Sequence, residues 1–101
     1  MKRTLGEIKY EEGTEELVKF AKALGHPTRI AILKQLEGKT SCYAGELVNE
    51  FPLAQSTISQ HLKELKNAGL IRGELKPPKI KYCINEDNWK LAKQLFDDLF
   101  E

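Results

Sequence analysis

Gln55-Ser56-Thr57-Ile58-Ser59-Gln60-His61-Leu62-Lys63-Glu64-Leu65-Lys66-Asn67-Ala68-Gly69 is the stretch that decides the fold. Ile58, Leu62 and Leu65 recur at i, i+4 and i+7 and form one apolar stripe on a helix. Around that stripe Gln55, Ser56, Thr57, Ser59, Gln60, His61 and Lys63 all carry hydrogen-bonding groups. Helix faces that meet only water are usually built from Glu and Lys, which hold helices well and pair at i, i+4. Hydroxyls and amides are poorer helix formers, but they can donate and accept toward bases and phosphates. This face is built to meet something other than water.

Working back from it, Pro52 ends a short helix expected over 44–51, with Leu47, Val48 and Phe51 inward and Glu46, Asn49 and Glu50 outward. Leu53 and Ala54 are left to turn the corner. With Ala54 as N-cap, Leu53 falls at N′ and Ile58 at N4, the spacing of a hydrophobic staple. At the other end Gly69 fits C′, and Leu70 would touch Leu65 as in a Schellman stop. Two helices joined by a tight turn, the second with the polar face, make a helix-turn-helix over 44–69.

Beyond Gly69 the period changes. Leu70-Ile71-Arg72-Gly73-Glu74-Leu75-Lys76 and Lys79-Ile80-Lys81-Tyr82-Cys83-Ile84 flank Pro77-Pro78. Ile80, Tyr82 and Ile84 alternate with Lys79, Lys81 and Cys83, as in a half-buried strand. The prolines cannot pair in a ladder and mark the tip, so 70–84 is expected to be a basic hairpin, or wing. Asn85-Glu86-Asp87-Asn88 then opens a last helix over 86–101, acidic at its start as the macrodipole favours. That helix is apolar on two flanks, Trp89, Ala92, Phe96 and Leu99-Phe100 on one, Leu91, Leu95 and Leu99 on the other. One stripe would serve its own core; the excess points to burial against a second copy.

Upstream, residues 1–12 are polar and are expected to form a frayed or short helical arm. Leu17, Phe20, Ala21 and Leu24 keep helical spacing up to Gly25. His26-Pro27 restarts the chain, with Pro27 suited to the first helical position. Ile30, Leu33 and Leu36 carry that helix to Gly38, and Thr40-Ser41-Cys42-Tyr43 is too short to be more than a connector.

The 101 residues form a single expected domain, small enough that a partner subunit would help its modest core. Hydrophobic residues are 41% and charged ones 31%, which excludes a disordered chain. No run approaches the roughly 20 apolar residues of a membrane span, and residues 1–7 contain no apolar signal core. Two cysteines, Cys42 and Cys83, are too few for a disulfide scaffold and suit a reducing cytoplasm, the expected location. Net charge is +1, but it is unevenly placed: residues 53–82 carry +4 and residues 85–101 carry −3. The anion-binding surface therefore belongs to the middle of the chain.

Four linked segments resemble one family. They are Leu24-Gly25-His26-Pro27-Thr28-Arg29-Ile30-Ala31-Ile32-Leu33, Gly45-Glu46-Leu47-Val48, Gln55 to Leu65, and Ala68-Gly69-Leu70-Ile71. In order and spacing they are similar to the ArsR/SmtB winged helix-turn-helix repressors over roughly 17–85. The resemblance implies a mainly α fold with a small β-hairpin wing. It also implies a homodimer through the first and last helices, a palindromic double-stranded DNA operator and release by an inducer. By position, Gln55, Ser56, Ser59 and Gln60 would touch bases and phosphates. Thr57, His61 and Lys63 flank them, and Lys76, Lys79 and Lys81 of the wing would grip the backbone. The dimer would draw on Leu17, Phe20, Leu24, Trp89, Ala92, Leu95, Phe96 and Leu99.

The pattern is broken in three places. Members that sense arsenic, cadmium or lead often carry Cys-x-Cys near the third helix, whereas Cys42 here is followed by Tyr43 and Ala44. Zinc sensors place Asp and His on the last helix, and residues 85–101 contain no histidine. Ala54 stands where Ser or Thr usually caps the recognition helix, a loss of about 1 kcal/mol.

Simpler roles compete at several positions. His61 lies among core positions, which fits a structural hydrogen bond as well as a phosphate contact, and His26 suits a helix start better than a ligand. Thr57 and His61 at i, i+4 have no third orienting group or oxyanion donor beside them, so no enzyme and no cofactor is expected. Cys42 and Cys83 fit small buried hydrophobes. They would otherwise be a thiolate pair that binds a soft metalloid or oxidises. The alternatives to a DNA-binding regulator are a protein-binding winged helix without DNA and a thiol switch using both cysteines.

Overall fold

The computed structural model describes residues 8–38, 51–77 and 79–101, and at Lys76 and Lys79 the backbone alone. Four helices and one hairpin follow in the order α1 (Thr14–Ala23), α2 (Pro27–Leu36), α3 (Gln55–Asn67), β1 (Ile71–Lys76), β2 (Lys79–Ile84) and α4 (Glu86–Phe100). The helix expected over 44–51 and the connector with Cys42 lie outside the described residues, as do residues 1–7 of the arm. Phe51 sits in a bend and packs, partly buried, on the core.

Helix starts follow local chemistry. Pro27 takes the first turn of α2, and the Nδ1 of His26, its N-cap, accepts a bond from the Thr28 N–H at 3.0 Å. Helix α1 ends at Ala23 with Leu24 as its C-cap, so Gly25 follows it as the expected stop, and the helix buries Ala23 where the spacing pointed to Ala21. Ala54 is the N-cap of α3 and makes no side-chain capping bond. Leu53 stays exposed and outside the core, so the expected staple adds little to it.

The far end of α3 is closed by a complete Schellman motif. Gly69, at φ 87°, sends its N–H to Lys66 O at 2.9 Å, and Leu70 sends its N–H to Leu65 O at 3.1 Å. Leu65 and Leu70 are both buried, which supplies the accompanying apolar contact. The next element is tied to the same corner. Asn85 donates its N–H to Leu70 O at 3.0 Å and caps α4 by accepting from the Asn88 N–H at 3.2 Å. The Asn88 amide in turn donates to Gly69 O at 2.9 Å. The end of α3, the base of the wing and the start of α4 thus meet in one hydrogen-bonded knot.

The core is a single cluster. Phe20, Ile32, Leu33, Leu36, Ile58, Leu62, Leu65, Leu70, Ile71, Ile84 and Ala92 are its main members, with Leu24, Trp89, Leu95 and Phe96 packed on its edge. The strands pair antiparallel from Ile71↔Ile84 to Lys76↔Lys79, with Pro77 in the turn that follows β1. Burial of the wing is graded: Ile84 is in the core, Tyr82 half-buried and Ile80 exposed. The expected half-buried strand therefore holds at its base only.

Candidate nucleic-acid interface

Helix α3 is divided sharply. Ile58, His61, Leu62 and Leu65 are buried, whereas Gln55, Ser56, Thr57, Ser59, Gln60 and Lys63 are all exposed. The apolar stripe fixes the helix on α2 and the wing base, and this turns the hydroxyls and amides outward. Gln60 is partly occupied, its amide donating to Glu64 Oε2 at 3.0 Å one turn on. Ala54 O accepts from the N–H groups of Thr57 and Ile58, so the N–H groups of Gln55 and Ser56 precede the ladder. With no capping side chain over them, they are open to an anion at the positive end of the helix.

His61 departs from the set of expected DNA contacts. It is 8% exposed and points into the subunit. Its Nδ1 accepts from Arg29 Nε at 3.1 Å, while Arg29 also donates to Ala23 O at 3.4 Å. The His26 ring lies tilted against it, centroids 4.4 Å apart. Burial, then His26, then Arg29 hold the His61 pKa below its ordinary value of 6.5. Arg29 thus joins the end of α1 and the start of α2 to the middle of α3, a supporting part that spacing did not single out. The available signal was a cation in the first turn of a proline-started helix together with a histidine on an apolar stripe.

Beside α3, the outward face of the wing carries Arg72 and Glu74 against Cys83 and Lys81, and the register runs on to Lys76↔Lys79. Arg72 and Glu74 approach at 3.9 Å in the open, which is worth little and leaves the face basic. Cys83 corrects the expectation of a buried thiol, because it is disulfide-bonded. Among the described residues no group of His, Cys, Asp or Glu could hold a metal ion.

The surfaces expected to pair two copies are mixed. Phe20 and Ala92 are spent on the subunit's own core. Leu17, Leu24, Trp89, Leu95 and Phe96 are partly buried, whereas Leu99 is 58% exposed. Val18, Leu91 and Phe100 are exposed as well, and Phe100 stacks on Phe96 with centroids 6.3 Å apart.

A recognition helix held by its apolar side, an exposed polar side and a basic hairpin next to it define a winged-helix DNA-binding regulator. Comparison with known proteins agrees. Residues 26–72 match the model of the arsR family of bacterial regulatory proteins. A helix-turn-helix transcriptional regulator of Methanocaldococcus jannaschii is 36% identical over 91 residues, 90% of this chain and 98% of that protein. The repressor SmtB of Mycobacterium tuberculosis is 47% identical over 53 residues, 52% of this chain and 38% of that protein. An ArsR-like regulator from Rhodococcus superposes with a TM-score of 0.68 at 21% identity, over 84% of this chain and 79% of that one. The chain belongs to the ArsR family and is a transcriptional regulator, not an enzyme. No helix among the described residues is long and apolar enough to cross a membrane.

Proposed function

We propose that the chain is a cytoplasmic repressor that occupies a palindromic operator as a homodimer and leaves it when an inducer binds. The observation that carries this is the exposed row Gln55, Ser56, Ser59 and Gln60 on a helix whose other side is buried. In the dimer, α1 and α4 pair with their counterparts through Val18, Leu91, Leu99 and Phe100. Two copies of α3 then enter successive major grooves, about 34–36 Å apart. Repression follows from occupancy: polymerase and dimer compete for the same duplex face.

Base readout and phosphate binding predict different losses. Gln55→Ala and Ser59→Ala should bind non-operator DNA as the parent does but lose preference for the operator, since a good base contact discriminates by about 1–3 kcal/mol. Lys79→Ala should weaken binding to every duplex and lower the slope of log K against log salt by about one. Titrations of operator and scrambled duplex over several salt concentrations measure both. A protein without salt-dependent, competable duplex binding would instead be a protein-binding winged helix.

A second reading concerns the inducer. The disulfide at Cys83 supports an oxidant as the signal that releases the operator. The oxidant would take two electrons and two protons from the thiols. Cys83 lies opposite Arg72 on the outward face of the wing, so the bond would act on the element that grips the backbone. Equal operator affinity of the reduced and oxidised protein would remove this reading.

A further inference from the structure

Away from its reading face, α3 borders an open cleft of about 280 Å³ shared with the end of α1 and the start of α2. Lys19 and Lys22 of α1, Arg29 of α2, and Glu64 and Asn67 of α3 line it, over the buried Ala23 and Ala68. Three cations thus share the lining with one carboxylate. Glu64 is engaged by Gln60, and none of the three cations makes an ion pair among the described residues. Arg29 is the informative one, because it is half-buried and a charge drawn out of water is ordinarily paired with its opposite. Its Nε and Nη1 donate to neutral acceptors only, His61 Nδ1 at 3.1 Å and Ala23 O at 3.4 Å. An oxyanion is the chemistry that matches this lining.

We propose that this cleft takes a small dianion, a dicarboxylate or a phosphate group, as the inducer that releases the operator. The proposal rests on the DNA-binding reading above. Size and charge favour this occupant. The cleft falls just below the roughly 300–1,000 Å³ of pockets for drug-sized ligands, which suits a metabolite of a few carbons. Its three cations less one carboxylate leave +2, which a dianion balances. A guanidinium fork also matches the planar geometry of a carboxylate or the oxygens of a phosphate. The path to DNA runs through one residue. A charge-assisted hydrogen bond is about twice as strong as a neutral one, so the anion draws the guanidinium away from His61 on the buried side of α3. Negative charge beside α3 also opposes its approach to phosphates. Both effects loosen the grip on DNA, and by linkage operator DNA weakens the anion by the same factor.

Succinate and inorganic phosphate are the probes, with chloride at matched ionic strength as the reference. At millimolar concentration at least one probe should shift the His61 ring signals in NMR and lower operator affinity about tenfold beyond chloride. The double variant Lys19→Ala, Lys22→Ala changes two exposed positions of α1. It should melt and bind operator as the parent does in chloride, but lose both responses. A response to succinate alone assigns a dicarboxylate, and one to phosphate alone assigns a phosphate group. Unmoved His61 signals with both probes would overturn the proposal. So would equal loss of affinity in all three salts, which is counterion screening, or a double variant that responds like the parent. If any of these comes with salt-dependent operator binding by the parent, the cleft fails and the DNA-binding reading stands. Absence of duplex binding by the parent would sink that reading and, with it, release by the anion.

Discussion

Gly69→Ala is expected to destabilise the protein by about 2–3 kcal/mol, lowering its melting temperature by roughly 10–20 °C for a chain of this size. Two costs combine. Residue 69 holds φ 87°, where an L side chain costs about 1–2 kcal/mol. A Cβ there would also lie 2.7 Å from Asn88 Nδ2, the atom that donates to Gly69 O. The amide must move, and the half-buried bond it makes is worth about 1 kcal/mol. A double-mutant cycle separates the two. In an Asn88→Ala background the clash is gone, so Gly69→Ala should cost only the backbone strain. Additive losses would show that Asn88 does not feel the new methyl. Melts must be run at one protein concentration, since a dimer's midpoint depends on it. Operator affinity should fall as well, because the Gly69–Asn88 bond fixes the angle between the reading helix and α4, the helix proposed to pair two copies.

That corner was legible from sequence in part. Gly69 and Leu70 at C′ and C″ follow from a helix whose apolar stripe ends at Leu65, because few other arrangements satisfy its last carbonyls. Asn85 as a cap follows from its place before Glu86 and Asp87. The wing follows from the switch to period two around a Pro-Pro tip. What stayed hidden depended on approach through space. Asn88 reads as a polar residue in a first helical turn, and nothing local says that its amide reaches 19 residues back. Arg29 and His61 are 32 residues apart, and their bond exists only once α2 crosses α3. For the same reason the residues expected to pair two copies included Phe20 and Ala92, which helix rotation turns into the subunit's own core. The same rotation leaves Val18 exposed. Periodicity identifies an apolar face, but not which of two hydrophobic neighbours will cover it.

Acid should destabilise the protein through His61, and the sign follows from its surroundings. The unfolded chain takes up a proton on this ring near 6.5, whereas the native ring is held below that value. Between the two values the unfolded state carries the extra proton, so stability falls with falling pH, by at most about 1.4 kcal/mol per unit for one group. The contribution is complete above about 6.5 and is lost as the pH drops through the native value. The cause is visible in the bond itself, since Nδ1 accepts from Arg29 and a protonated Nδ1 cannot. His61→Gln, which retains an acceptor and does not titrate, should flatten the difference in urea stability between pH 7.5 and 5. Arg29→Met removes a cation and the bond together, and should move the His61 midpoint, followed by its ring protons in NMR, back toward 6.5. The effect on DNA has two opposing parts. Added positive charge alone would tighten binding to phosphate, whereas loss of the Arg29 bond loosens the helix that carries Ser59 and Gln60. Because His61 is buried behind that helix, the second should win, and operator affinity should fall in acid by more than in His61→Gln. Tighter binding at pH 5.5 in the parent but not in His61→Gln would put the imidazole in the groove and overturn its inward placement.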